Sequence, residues 1–288
     1  MNPLGLALGG GILNDTGATL SIVNSKLTGN QALGGGGGVA GAGAALGGGI
    51  DNDASTLTVS NSILSGNLAR GGSTTAGPGA RAAGGGIANE NGATATVTNS
   101  AITGNIVQGG SGAATAPSTS RGGVVFGGGI DDRSGSTLIV ISSTVSGNQA
   151  IGGDWGAGVN GGDGIGGGIV VGAASFINAG TPGFTDTSTL QLSNSTLANN
   201  QAIGGAGGPG GNGGDGLGGG LSVQDGASAT VSGSSIQRNS ALGGQAGTGG
   251  SSGQGLGGGV YDLGTFAFDL GTVIKKNHAS ASNDDIYQ

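Results

Sequence analysis

Residues 47–69 read GGGIDNDASTLTVSNSILSGNLA, and the same syntax returns along the whole chain. A glycine triplet leads into Ile12, Ile50, Ile87, Ile130, Ile169, Leu221 and Val260. An asparagine follows each, at Asn30, Asn67, Asn105, Asn148, Asn200, Asn239 and Asn277, at a matching distance in all but one copy. Self-similarity at a period of roughly 40 residues is the mark of stacked supersecondary units, none of which can bury a core alone.

Aligning the copies on the asparagine makes the hydrophobic pattern regular. Ten residues upstream stand Leu20, Leu57, Ala95, Leu138, Leu190 and Ala229, and eight upstream Ile22, Val59, Val97, Val140, Leu192 and Val231. Three upstream stand Leu27, Leu64, Ile102, Val145, Leu197, Ile236 and Ile274; two downstream comes alanine in six copies and Val107 in the seventh. Apolar residues two apart with Ser or Thr between them are the alternation of a half-buried strand. Glycine, at about 1 kcal/mol against alanine, and the β-branched residues disfavour helix. Each repeat is therefore expected to hold three short strands: the triplet with its aliphatic residue, a Thr-Leu-Thr-Val segment, and a Ser-x-Leu-x-Gly-Asn segment. Three strands per turn is the cross-section of a parallel β-helix, and seven coils stacked about 4.8 Å apart make a rod core roughly 35 Å long.

The asparagines have a structural role in this reading, because stacked amides hydrogen-bond along a ladder and satisfy turn backbone. A second run, Asn24, Asn61, Asn99 and Asn194, marks the preceding corner.

Composition bounds the function classes. Glycine supplies 75 of 288 residues without a three-residue period, which excludes collagen, and 34% of residues are apolar at set positions, which argues against disorder. A net charge of −7 with eight Lys and Arg leaves no basic stripe for nucleic acid or an anionic membrane. The absence of cysteine removes disulfides, thiol nucleophiles and zinc–thiolate sites. No stretch of about 18 apolar residues exists to span a bilayer as a helix. Residues 1–288 read as a single β-helix domain, with 261–288 as its C-terminal cap. Asp269 is expected in an inward slot there, with Phe266, Phe268 and Leu270 alternating around it. The uncapped first coil leads us to expect the C-terminal part of a longer exported protein.

Between each asparagine corner and the next triplet lies a glycine-rich insert: 34–46, 71–83, 109–126, 152–165, 204–217 and 243–256. All leave the same corner, so they are expected to project as a row along one edge. Each ends in an apolar residue, Leu46, Ala83, Phe126, Ile165, Leu217 or Leu256, which reads as an anchor. Pinned ends and similar lengths favour stacked, extended polyglycine segments over flexible loops. Coil five carries a further loop, 172–188, with Phe176, Pro182 and Phe184.

The segment from Gly47 to Ala69 resembles the repeats of right-handed parallel β-helix proteins of the pectate-lyase-like superfamily. The resemblance is nearest to surface repeats of the polymorphic outer-membrane and autotransporter-passenger type, which carry GGA[ILV] and FxxN. Here the triplet is all glycine, and Leu27-Thr28-Gly29-Asn30 replaces the Phe with an aliphatic residue. Ser282 to Tyr287 resembles the end of large secreted bacterial β-helix proteins. The resemblance covers almost the whole chain and implies a right-handed β-helix. It implies no particular activity, because the superfamily includes both enzymes and adhesins.

Catalytic signals are sparse. The sole histidine, His278, lies in the last coil beside two lysines, so a Ser-His-Asp triad is not expected. The acidic pairs Asp131-Asp132 and Asp284-Asp285 lack the His, Arg and Lys that β-helix lyases and hydrolases resemble one another in using, and read as turn or cap residues. Three residues past the inward aliphatic, Asp15, Asp53 and Glu90 would stack as like charges and invite a cation unless Arg133 neutralises them. Asp163 and Asp215, in partial matches to the GGxGxDxUx calcium nonapeptide, sit six residues before their inward aliphatic and are expected to face each other across a coil. Both sets are calcium candidates; no cofactor is required. Trp155, alone in its insert, is a candidate for stacking on a sugar ring or for folding back onto the flank.

The expectation is a non-catalytic extracellular or cell-surface rod with a structural or adhesive role. Its contact surface would be the glycine-rich edge and Trp155, and its partner an extracellular polysaccharide or a host or neighbouring cell surface. The alternative is a polysaccharide lyase or glycoside hydrolase using the acidic stripe. A third reading is ice binding by the outward column Ser21, Thr58, Thr96, Ile139, Gln191 and Thr230, which Ile139 and Gln191 interrupt.

Overall fold

The structure, a computed structural model, describes residues 5–37, 42–113, 121–156, 158–172 and 186–288. Among them every helix or strand assigned is a β-strand, and each strand pairs in parallel with its equivalent one repeat away. Five sheets result, four of seven strands and one of eight. The molecule is a parallel β-solenoid, with seven stacked levels joined by six full turns.

Level two shows the path: Ala45–Leu46, Ile50–Asp53, Thr56–Ser60, Ile63–Ser65, Leu68–Arg70. The five sheets built from these strands are called here the anchor, isoleucine, threonine, leucine and alanine sheets, in that order. The count corrects the expected three strands per coil. The glycine triplet is a corner, not a strand: Gly47 has φ +59°, and a Cβ there would run into the carbonyl of Ile50. A second corner, at Gly66-Asn67, separates the leucine strand from an alanine strand.

In the threonine sheet, burial alternates strictly, as a period-two pattern requires: in Thr56–Ser60 only Leu57 and Val59 are buried. These columns fill the lumen with Ile50, Leu64 and their equivalents. At level one, Ile12, Leu20 and Leu27 are only partly buried, because they have a neighbouring level on one side alone.

The seven asparagines at the leucine–alanine corner form one continuous column. Asn148 Nδ2 donates to Asn200 Oδ1 at 3.0 Å and to the carbonyl of Ile102 at 2.9 Å, and Asn105 donates both its backbone N–H and its Nδ2 to Asn148 Oδ1. The column runs from Asn30 to Asn277, which donates to Asp285 Oδ1 at 2.8 Å. Asn24, Asn61, Asn99 and Asn194 have φ near +50°, a conformation asparagine tolerates better than most residues.

The described parts of the inserts form an ordered slab. Gly204 and Gly207 donate to the outgoing segment of the next level, while Gly205 and Gly208 donate to the returning segment of the level before. On the return path, Gly213 and Gly216 donate to one neighbour, and Gly211 and Gly214 to another. Donors three residues apart therefore share a neighbour, the three-fold repeat of polyglycine and polyproline helices, here bonded between chains. The backbones lie so close that a Cβ at Gly204 or Gly253 would overlap the carbonyl oxygen of Gly214. The apolar ends of the inserts return to a second small core outside the lumen, in which Leu46, Ala83, Phe126, Ile165 and Leu217 pack with Ala88 and Val170. Phe176, Pro182 and Phe184 lie outside the described residues.

At level seven, Phe266 pairs with Ala229 and Phe268 with Val231, so these two aromatic residues take the inward columns. This corrects the placing of Asp269 in an inward slot. One extra residue between the threonine and leucine strands breaks the register counted back from Asn277. Asp269 is exposed and accepts from Gly233 N–H at 3.0 Å and Thr272 Oγ1 at 2.7 Å. Ile286–Tyr287 adds the eighth strand to the isoleucine sheet, and Tyr287 stacks on Tyr261 with centroids 5.1 Å apart.

Candidate functional site

The three-residue period of the slab decides which insert side chains share a face. Asn160 and Asp163, then Asn212 and Asp215, then Ser251 and Gln254 are each three apart on successive return segments. Arg121, Asn160, Asp163, Asn212, Asp215, Ser251 and Ser252 line a groove of about 180 Å³. Its floor is pre-organised by backbone bonds running level to level. Asn160 Oδ1 accepts the Asn212 N–H at 2.9 Å, and Asn212 Oδ1 the Ser251 N–H at 2.8 Å. Asp163 Oδ1 accepts the Asp215 N–H at 2.8 Å, and Asp215 Oδ1 the Gln254 N–H at 2.7 Å. Arg121 Nη1 meets Asp163 Oδ2 at 2.9 Å, with the arginine half-exposed and the aspartate buried. Burial pushes the Asp163 carboxyl above the usual range, against the pull of the Asp215 N–H and Arg121.

Asp163 and Asp215 thus face each other across a level. Their Oδ1 atoms serve backbone N–H groups of the next level, and Arg121 takes the remaining Asp163 oxygen. Among the described residues no group of three acidic or histidine side chains is gathered as a metal site. No described residue bonds the Nδ2 of Asn160 or Asn212, or the Oδ2 of Asp215. With the serine hydroxyls, which both donate and accept, and Arg121, they leave a row of donors and one free carboxylate oxygen along the rod axis.

Trp155 lies outside this row and is 7% exposed. Its ring packs over Gly112 of the preceding insert, where a Cβ would overlap it. The ring is a packing element of the slab and presents no open face to a sugar.

The acidic stripe is assembled in register: Asp15 pairs with Asp53, and Asp53 with Glu90. Asp15 Oδ1 accepts from Thr16 Oγ1 and Asp53 Oδ1 from Asn91 Nδ2, both at 2.7 Å. Glu90 is paired with buried Arg133 at 2.9 Å. Arg133 closes the stripe at its buried end.

Two further arrangements were not expected from the sequence, and the pair Asp131-Asp132, expected at a turn or cap, lies instead in the buried strand Ile130–Asp132. Asn14, Asn52, Asn89 and Asp132 form a buried column in which each Nδ2 donates to the next Oδ1 at 2.6 to 2.7 Å. Their position two residues after Ile12, Ile50, Ile87 and Ile130 gives inward parity, a signal present in the sequence. Asp51 and Asp131 have outward parity yet are fully buried, because the anchor residues of the inserts cover that face. Burial raises Asp51 to about 8, helped by Glu90 and Asp53, and Asp131 to about 7 against the pull of Arg133. No polysaccharide can reach carboxyls with no exposed surface, so these two do not form a hydrolase pair. His278 is exposed, 3.5 Å from exposed Asp284.

The threonine sheet presents an uncharged outer face at levels one to six. The column Thr19, Thr56, Thr94, Thr137, Thr189, Ser228 and Thr265 is an unbroken line of hydroxyls, parallel to the interrupted one through Thr58.

No family model matches this chain, and no curated protein does. Among solved structures, one match is HetL, a pentapeptide repeat protein from the cyanobacterium Nostoc sp., at 10% identity over 80% of this chain and 82% of that one. Its TM-score of 0.09 carries no structural argument.

Proposed function

We propose that this chain is a non-catalytic structural and adhesive rod of an extracellular or cell-surface protein, and that its slab groove holds an extracellular polysaccharide. The observation that carries the reading is the groove from Arg121 to Ser252, whose Asn and Asp side chains are locked by backbone bonds while, among the described residues, the Nδ2 atoms of Asn160 and Asn212 and the Oδ2 of Asp215 have no partner. Alternating amide donors, hydroxyls and a carboxylate acceptor suit a polyhydroxylated, uncharged ligand, and pre-organisation lowers the entropy lost on binding. Two matching Asn and Asp pairs on successive levels of a rigid axis, Asn160 with Asp163 and Asn212 with Asp215, favour a linear polymer, since linked weak contacts multiply. The resemblance of the repeats to pectate-lyase-like and autotransporter-passenger sequences supports export and the right hand of the coil.

The test is a glycan array followed by product analysis of every hit. Retention without new reducing or unsaturated ends, weakened about tenfold by Asn212→Ala, is the expected result. Cleavage of a bound glycan, or no retention on any array member, overturns the proposal.

A second reading rests on a different observation, the uncharged hydroxyl face of the threonine sheet. Strand spacing of about 4.8 Å across and roughly 6.8 Å between alternate residues makes it a regular grid, the kind of surface that orders water into a lattice. Ice-growth arrest that is lost in Thr94→Tyr is its signature; unaltered ice growth at millimolar protein removes it.

A further inference from the structure

The outer face of the isoleucine sheet at levels two to four hides more negative charge than it can neutralise. Asp51 has no exposed surface, and among the described residues neither of its carboxyl oxygens has a hydrogen-bond partner. Asp131 is equally buried, and its one charged contact is Arg133 Nε at 3.1 Å from Oδ2. On the lumen side of the same sheet, Asp132 Oδ1 accepts from Asn89, and its Oδ2 is buried with no partner among the described residues. The groups facing them are mostly acidic. Glu90 and Asp53 act on Asp51 from the isoleucine strands of levels three and two, and Asp186 acts on Asp131 and Asp132 from between the isoleucine and threonine strands of level five. The bases are Arg133, already shared between Glu90 and Asp131, and Arg81. Above this patch the anchor sheet contributes Leu46, Ala83 and Phe126, all apolar. A carboxylate sealed under apolar side chains without a cation or hydrogen-bond donor is costly, and such a group resolves the cost by taking a proton.

We propose that levels two to four form a proton-loaded lock: Asp51, with Asp131 and Asp132, is neutral in the folded rod, and alkaline pH charges these groups and opens this part of the solenoid first. The linkage runs in one direction. Unfolded aspartates titrate near 3.9, whereas Asp51 and Asp131 are held at about 8 and about 7 in the fold. The folded values are raised, so their contribution to stability is complete below about pH 4 and drains away as pH climbs through 7 and 8. Asp186, fixed by hydrogen bonds from Ser134, Gly135 and Ser188 that outweigh its burial, is shifted the other way and acts only at low pH.

The experiment is thermal unfolding of the full chain from pH 5 to pH 9, with amide exchange resolved by level, for the wild type and Asp51→Asn. We expect the wild-type midpoint to fall by roughly 5 °C or more across that range. Exchange should accelerate at residues 50–53 and 130–132 before 221–223. Asp51→Asn should flatten the fall above pH 7 and be the more stable protein at pH 9. A wild-type midpoint that is level or rises toward pH 9 overturns the lock, as does a variant with the wild-type pH slope. Infrared spectra of the wild type keep the question open if the variant does not fold. A protonated-carboxyl band present at pH 6 and lost by pH 9 supports the proposal, and its absence at pH 6 refutes it.

Discussion

The solenoid wall and the glycine slab lie side by side at every level, yet they cohere by opposite means. In the wall, side chains do the holding: Leu57, Val59 and Leu64 fill the lumen, and Asn67 ties each corner to the next. In the slab, backbones hold one another, and the sequence contributes mainly by leaving side chains out. The wall therefore accepts any aliphatic residue of similar size, as Leu, Ile, Val and Ala share its columns. The slab accepts almost nothing but glycine at its crossing points. Polar identity returns only where the three-residue period turns a side chain outward, and there the groove is built.

This contrast can be broken by substitutions of graded effect. The largest is expected at the wall's polar seam. Asn148→Leu leaves the Asn105 N–H and amide, the Ile102 carbonyl and Asn200 Oδ1 short of partners, at about 3–5 kcal/mol in chemical denaturation. A loss under 1 kcal/mol would mean that the column is not structural. Next comes the slab: Gly205→Ala adds one methyl group against the carbonyl of Gly153 and is expected to cost about 2–3 kcal/mol. A neutral Gly205→Ala would erase the distinction between the regions. In the lumen, Ile102→Val removes one methylene for about 1 kcal/mol, less than the slab loses by gaining one. Smallest is Thr96→Ala on the outer hydroxyl face, within about 0.5 kcal/mol. A larger loss there would make that face part of the scaffold.

Much of the wall was legible because parity and repetition agree. The spacing of Leu57 from Val59 places both inward, and seven copies remove the ambiguity of one. The triplet was misread as a strand because its apolar neighbour, not its own conformation, drew attention; positive φ at Gly47 turns it into a corner. Asp51 and Asp131 were invisible as buried groups, since what covers them arrives from the end of an insert, a partner that no local pattern reveals. Asp163 and Asp215 were placed together by spacing alone, but their work as backbone acceptors was not evident, because the three-residue period exists only once the inserts pack. Level seven was misregistered by a single added residue, which counting from an asparagine cannot detect.

The described parts of the glycine-rich inserts are a hydrogen-bonded lattice as ordered as the strands beside them. Residue-resolved amide hydrogen exchange on Gly153, Gly162, Gly205, Gly214 and Gly244 tests it directly, with Val145 and Leu197 as wall references. Protection at these glycines is expected within about tenfold of the wall, because each donates to a backbone carbonyl at 2.8 to 2.9 Å. Exchange of all five at the rate of an unstructured chain would contradict it.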